Sequence, residues 1–76
     1  MIISITTPKS LDSLGRVIAI TRRAKVTVAK ISVVADTTVY NVVMEVEGDP
    51  DEVGWLVAKL DKLPEVLSIG QININP

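Results

Sequence analysis

The chain has 76 residues, enough for one domain, and a net charge of −1 with neither cysteine nor histidine. Disulfides and thiolate metal sites are therefore excluded, and the side chains that most often act as general base or nucleophile are missing. The small net charge gives no electrostatic attraction to nucleic acid or to an anionic membrane, so neither is an expected partner.

A first strand is predicted at residues 2–6, which are mostly β-branched and apolar. Pro8 interrupts it, because proline fixes its own φ and lacks the N–H that a strand ladder needs. A helix from Leu11 to about Ala24 follows, with Ser10 or Asp12 as its N-cap. The side chains spaced for its buried face are Leu14, Val17, Ile18 and Thr21 or Ala24.

A β-hairpin is predicted next. Residues 26–34 are rich in β-branched side chains, but their alternation changes phase partway, so we expect a bulge near Ala29–Lys30. Residues 36–38 form the turn. Residues 40–47 then alternate apolar and mixed positions, as a strand with one buried face does.

The second helix has a clear start signal. Asp49 is a suitable cap, and Pro50 suits the first helical position, where its missing N–H costs nothing. Pro64 stops the helix, and residues 66–73 are predicted to form a fourth strand. The apolar stripe of this helix comprises Val53, Leu56, Val57, Leu60 and Leu63.

The order strand, helix, strand, strand, helix, strand predicts an α+β fold of ferredoxin-like architecture. Right-handed crossovers would place both helices on one face of a four-stranded antiparallel sheet. We expect a single domain over residues 1–76, since the chain has no linker or low-complexity segment. It has no signal peptide and no apolar run near the roughly 20 residues that span a bilayer, so we expect a cytoplasmic protein.

The acidic residues give little support for an enzyme. Glu45 and Glu47 lie two positions apart on a strand and so share its outer face, which is typical of a solvated surface or a subunit edge. Asp49, Asp51 and Glu52 cluster where a helix begins, and negative charge there is favourable without any metal. We therefore expect no catalytic residue, no cofactor and no metal site.

Other binding functions of this architecture lack their residues here. Arg22, Arg23 and Lys25 form a short basic run that could meet a phosphate, but we interpret it as a solvated helix end. An RNA-recognition surface needs aromatic side chains on the sheet, and the chain has only Tyr40 and Trp55. The Cys-x-x-Cys loop of copper chaperones is absent. Elimination leaves binding and regulation.

Three motifs, taken in order and with their spacing, carry a resemblance to a known family. They are Leu14-Gly15-Arg16-Val17 in the first helix, Val46-Glu47-Gly48-Asp49 after the third strand, and Leu60-Asp61-Lys62-Leu63-Pro64-Glu65-Val66 before the fourth. Together they resemble an ACT domain, and more narrowly the short, single-domain regulatory (small) subunit of acetolactate (acetohydroxyacid) synthase. The likeness covers about residues 2–72.

The resemblance implies a non-catalytic module. ACT domains pair through their sheet edges, often into one continuous sheet, and bind amino acids at the interface. The loop after the first strand and the start of the second strand form that site, which here corresponds to Ser10, Asp12, Ser13, Thr27 and Val28. Small subunits of this synthase activate a thiamine-diphosphate-dependent large subunit of the branched-chain amino-acid pathway and often confer feedback by valine.

Two positions depart from the family pattern. Asp12 stands where the ligand loop usually has a glycine, and its carboxylate would repel the carboxylate of an amino acid. Thr27 stands where the second strand usually begins with asparagine, although its hydroxyl can still form a hydrogen bond. These departures favour a subunit that activates its partner without sensing an amino acid.

Two alternatives remain. The chain could be a free-standing amino-acid-binding ACT protein, or resemble the ligand-binding domain of feast/famine transcription regulators without the DNA-binding helices. An acylphosphatase shares the topology alone, because its phosphate-binding loop with an arginine has no counterpart between Thr7 and Asp12.

Two further residues are predicted at interfaces. Val43 lies on the sheet face away from the helices, and an exposed strand edge invites pairing, so we expect a homodimer. Trp55 lies off the apolar stripe of its helix. Because tryptophan is enriched at interaction hot spots, we expect it to contact a partner or the large subunit.

Overall fold

A computed structural model describes residues 1–72, and Asn73, the predicted end of the fourth strand, lies outside them. The elements are β1 (Ile2–Pro8), α1 (Leu11–Arg23), β2 (Thr27–Ala35), β3 (Val39–Glu47), α2 (Pro50–Asp61) and β4 (Ser68–Ile72). The four strands form an antiparallel sheet in the order β2-β3-β1-β4. The predicted ferredoxin-like fold is confirmed.

Most predicted boundaries lie within two residues of the observed ones. β1 extends two residues further than predicted, because its pairing with β3 continues to the Pro8–Val39 pair. Proline is tolerated there because β4 pairs with β1 only as far as Thr6, so no strand needs an N–H from Pro8 on that side. β4 begins at Ser68 rather than Val66, because the chain turns between α2 and β4 and the Leu67 N–H then bonds to Thr6 O at 2.8 Å.

Both helices begin at their predicted caps. Ser10, rather than Asp12, caps α1, and its side chain accepts from the Ser13 N–H at 3.4 Å. Asp49 caps α2 by accepting from the Asp51 N–H at 2.8 Å, and Pro50 takes the first helical position. These caps satisfy backbone N–H groups that a helix start leaves without intrahelical partners.

The core lies between the helices and the two central strands. Its fully buried apolar residues are Ile3, Ile5, Val17, Val42, Met44, Val46, Val53, Leu56 and Leu60. They come from β1, β3, α1 and α2, with none from β2 or β4. The helices therefore cover the middle of the sheet and leave its β2 side open.

Candidate ligand and pairing site

β2 is an edge strand with unusually apolar exposed side chains. Eight of its nine residues are exposed and the ninth is half-buried. On the side facing the helices, Val28, Ile31 and Val33 are 37%, 45% and 41% exposed. Long, apolar edges of this kind pair with other chains unless something blocks them.

A bulge in β2 puts these three side chains on one face. The register with β3 shifts between Val28 and Lys30, where the bulge was predicted. Without the extra residue, Val28 would point away from Ile31, because successive side chains of a strand alternate. The change of phase in the sequence thus has a structural consequence: it builds a continuous apolar row along the free edge.

Val28 and Ile31 of this row form one wall of a groove against the C-terminal half of α1. The groove has a volume of about 330 Å³. Its lining residues are Ile18, Thr21, Arg22, Ala24, Val26, Val28, Ile31 and Met44. All but two of them are apolar, so the groove suits an aliphatic side chain, and the Arg22 guanidinium is the group there that could meet a carboxylate.

Sequence reasoning missed most of this groove. Ile18 was predicted on the buried face of α1, but it is 42% exposed because α1 does not reach over β2. Thr21 is buried, and its hydroxyl donates to Val17 O at 2.8 Å, so it is already satisfied. Arg22 was interpreted as part of a solvated helix end. The phase change in β2 was the available signal, since it indicated which valines share a face.

The five predicted ligand-binding residues lie in two places. Ser10, Asp12 and Ser13 are at the start of α1, where Ser10 is occupied as the cap, Asp12 is exposed and Ser13 is buried. Thr27 and Val28 are at the start of β2. Val28 lines the groove, whereas Thr27 is opposite Glu47 and so points to the other face of the sheet.

Within one chain these two places are at opposite ends of the sheet. The Lys9 N–H bonds to Thr38 O at 3.2 Å, which fixes the loop before α1 beside the hairpin turn. Thr27 is at the far end of the hairpin. The eight residue steps from Thr27 to Ala35 span about 26 Å at the usual rise of a strand. One chain alone therefore does not bring the predicted ligand residues together.

The predicted interface residues are both partly exposed. Val43 is 38% exposed on the sheet face away from the helices. Trp55 is 37% exposed and lies off the buried stripe of α2, as expected. The Lys59 ammonium is 5.9 Å from the centre of its ring, within range of a cation–π contact.

The acidic residues at the start of α2 have structural partners. Asp49 is the cap, and Glu52 accepts from the Lys25 N–H at 3.3 Å, which joins α2 to the connection before β2. Within residues 1–72, no group of three or more His, Cys, Asp or Glu side chains is arranged to hold a metal ion. None of the helices in the same stretch is long and apolar enough to traverse a membrane.

Comparison with known proteins identifies the family. A family model described as the ACT domain matches residues 9–69. This chain belongs to the ACT domain family. As an ACT domain it is a regulatory, ligand-binding module without catalytic function of its own.

Solved structures of ACT domains have the same fold. The crystal structure of the ACT domain from GTP pyrophosphokinase of Chlorobium tepidum is 14% identical with a TM-score of 0.81, covering 93% of this chain and 94% of that one. A solution structure of the same domain is 13% identical with a TM-score of 0.79, covering 97% and 85%.

A solved structure that is not described as an ACT domain is also similar to this chain. The C-terminal domain of the MgtC protein from Mycobacterium tuberculosis is 16% identical with a TM-score of 0.60, covering 91% of this chain and 80% of that one. At such low identities these likenesses concern the fold. A search of curated proteins finds no match.

Proposed function

We propose that this ACT domain pairs through β2 and acts as the small regulatory subunit of acetolactate synthase, activating the large subunit. The observation that carries the pairing is the free, apolar β2 edge together with the separation of the two parts of the ligand site. The link to the synthase rests on the three motifs, which fall in α1, at the β3–α2 junction and between α2 and β4.

Antiparallel pairing of two β2 strands would complete the site. It would place the start of one β2 next to the end of the other, and the Ser10–Ser13 loop lies at that end of the sheet. Each of two sites would then draw its loop from one chain and Val28 from the other, whereas the Thr27 side chain stays on the opposite face of the sheet. Paired strands lie about 4.8 Å apart, so an added strand lies alongside the groove without rearrangement of the core.

Pairing also provides burial that the single chain lacks. A domain of this size buries only about 60% of the surface that its unfolded chain exposes. Half-exposed Val28, Ile31 and Val33 would become covered in both chains, which adds apolar burial where the helices do not reach. Pairing is therefore expected to raise the stability of the fold as well as to form the site.

Two features favour activation of a partner over sensing of an amino acid. Asp12 is exposed in the first turn of α1, where its carboxylate would repel that of an amino acid. The Ser10 hydroxyl is already used as a cap. Trp55, exposed on α2, is the side chain that we assign to contact with the large subunit.

The direct experiment mixes the chain with the acetolactate synthase large subunit of the same organism and measures acetolactate formation. We expect a complex at micromolar concentration and a gain in rate. Trp55→Ala should weaken the complex with the large subunit and leave the molar mass of the free chain unchanged. Ile31→Lys should abolish the pairing of two copies of the chain through β2. Ala58→Lys adds the same charge to an exposed position of α2, away from β2, and is the control for the pairing variant. Absence of both complex and stimulation would refute the assignment.

The second candidate is a free-standing amino-acid sensor, and the observation in its favour is the apolar groove that contains Arg22. A ligand at 100 times its Kd stabilises a protein by about 2.7 kcal/mol, on the order of 10–20 °C in Tm for a small domain. A thermal-shift screen of the twenty amino acids should then identify an aliphatic one, and Arg22→Gln should reduce its shift. A flat screen that includes valine, leucine and isoleucine would count against sensing.

A further inference from the structure

The sheet has a second uncovered surface, the face away from the helices, which we call the open face. Its side chains form three rows of cross-strand neighbours running β2, β3, β1, β4. The rows are Lys30–Glu45–Ile2–Ile72, Ser32–Val43–Ser4–Gly70 and Val34–Asn41–Thr6–Ser68.

The open face has few of the long charged side chains that usually cover a solvated sheet. Lys30 and Glu45 are the charged members of the three rows, and Glu47, paired with Thr27 beside them, is a further carboxylate on this face. Val34 and Ile72 are 62% and 59% exposed, and the middle row is small except for Val43. A flat surface of small and apolar side chains is suited to packing against another sheet, at the usual separation of about 10 Å.

Lys30 and Glu45 give the open face charges of both signs. They flank a depression of about 270 Å³ that is also lined by Ile2, Ser32 and Val43. Lys30 and Glu45 are cross-strand neighbours, yet among residues 1–72 they form no ion pair with each other. Glu47 adds a second carboxylate two residues along β3, so two open faces related by a two-fold axis would each offer Lys30 to a carboxylate of the other, which argues for a second copy of this chain as the occupant.

We propose that open faces pack together in pairs, so that two edge-paired dimers stack into a tetramer. The tetramer rests on the edge pairing of the proposed function, because the contact area that one open face offers is small. Three rows on four strands cover roughly 19 × 20 Å, about 400 Å² per chain. Stable interfaces bury about 800 Å² per partner. The open face of one chain is too small by itself, whereas that of an edge-paired dimer reaches this size.

The test is the molar mass by light scattering at about 100 µM, with folding checked by circular dichroism. We expect the mass of four chains of 8.2 kDa for the wild type and for Ala58→Lys. Val43→Lys, in the centre of the open face, should reduce it to two chains. Lys30→Glu and Glu45→Lys should each do the same, because the first leaves the face with carboxylates alone and the second places two cations side by side.

An equal mixture of Lys30→Glu and Glu45→Lys should recover the mass of four chains, because the carboxylates of one protein then face the paired lysines of the other. Recovery of the mass would show that the two substitutions act through contact between chains, because mixing would not reverse a loss of structure within each variant. A wild type that stays at two chains, or a mixture that does not recover, would overturn the stacking.

Failure of stacking and failure of edge pairing give different results. If edge pairing alone holds, the wild type has two chains, Val43→Lys keeps two and Ile31→Lys has one. If edge pairing fails, one open face is too small to hold two chains together, so the wild type, Val43→Lys and Ile31→Lys all have one chain. A monomeric wild type would contradict both.

Discussion

Leu56 and Leu11 are leucines of the two helices in opposite surroundings. Leu56 is fully buried in α2, whereas Leu11 is 74% exposed at the start of α1. We expect Leu56→Ala to lower the free energy of unfolding by about 2–5 kcal/mol, because it removes buried methyl groups and leaves a cavity. Leu11→Ala deletes the same atoms at the surface and should change it by under about 0.5 kcal/mol. Urea unfolding of both variants measures the difference, and equal effects would contradict the assigned core.

Residue patterns in the sequence predicted which side chains point together but not which are covered. Three members of the predicted stripe of α2, Val53, Leu56 and Leu60, are buried. Val57 is half-buried, and Leu63, also half-buried, lies beyond the end of the helix at Asp61. Ile18 fits the period of α1 equally well and is nevertheless half-exposed. Periodicity is a property of one element, whereas the burial of a side chain depends on how far the neighbouring element extends. Because α1 does not pack over β2, Ile18 stays exposed.

The helix starts are the elements that the sequence predicts best, because capping is local chemistry. Asp49 accepts from the Asp51 N–H at 2.8 Å. Asp49→Ala should therefore lower the free energy of unfolding by about 1 kcal/mol, while Asp49→Asn should keep most of the cap. Thermal unfolding of the two variants is the measurement, and a loss as large with asparagine as with alanine would contradict a capping role.

The hairpin illustrates the limit of prediction at the scale of elements. Its turn and its bulge near Ala29–Lys30 were both predicted from residue type and phase, and the register with β3 confirms them. The position of β2 at the edge of the sheet was not a local property. It follows from the crossovers, which place β3 and β1 in the centre.

At the scale of the whole molecule, the ferredoxin-like ACT fold could be predicted from the order of its elements, but the site could not. Ser10 and Thr27 belong to one predicted site because the family resemblance puts them there. In a single chain they lie at opposite ends of a sheet that is several strands wide. No pattern within one sequence specifies a site that two chains would share.

The pairing of β2 strands is the central claim, and hydrogen–deuterium exchange tests it most directly. About half of the N–H groups of an edge strand point away from the sheet and exchange freely unless another strand accepts them. Exchange of residues 27–35 would be followed at protein concentrations of about 1 and 100 µM, in the wild type and in Ile31→Lys. If two β2 strands pair, β2 becomes protected as concentration rises while β1 stays unchanged, and Ile31→Lys removes this protection. Exchange in β2 that is fast and independent of concentration would contradict the pairing.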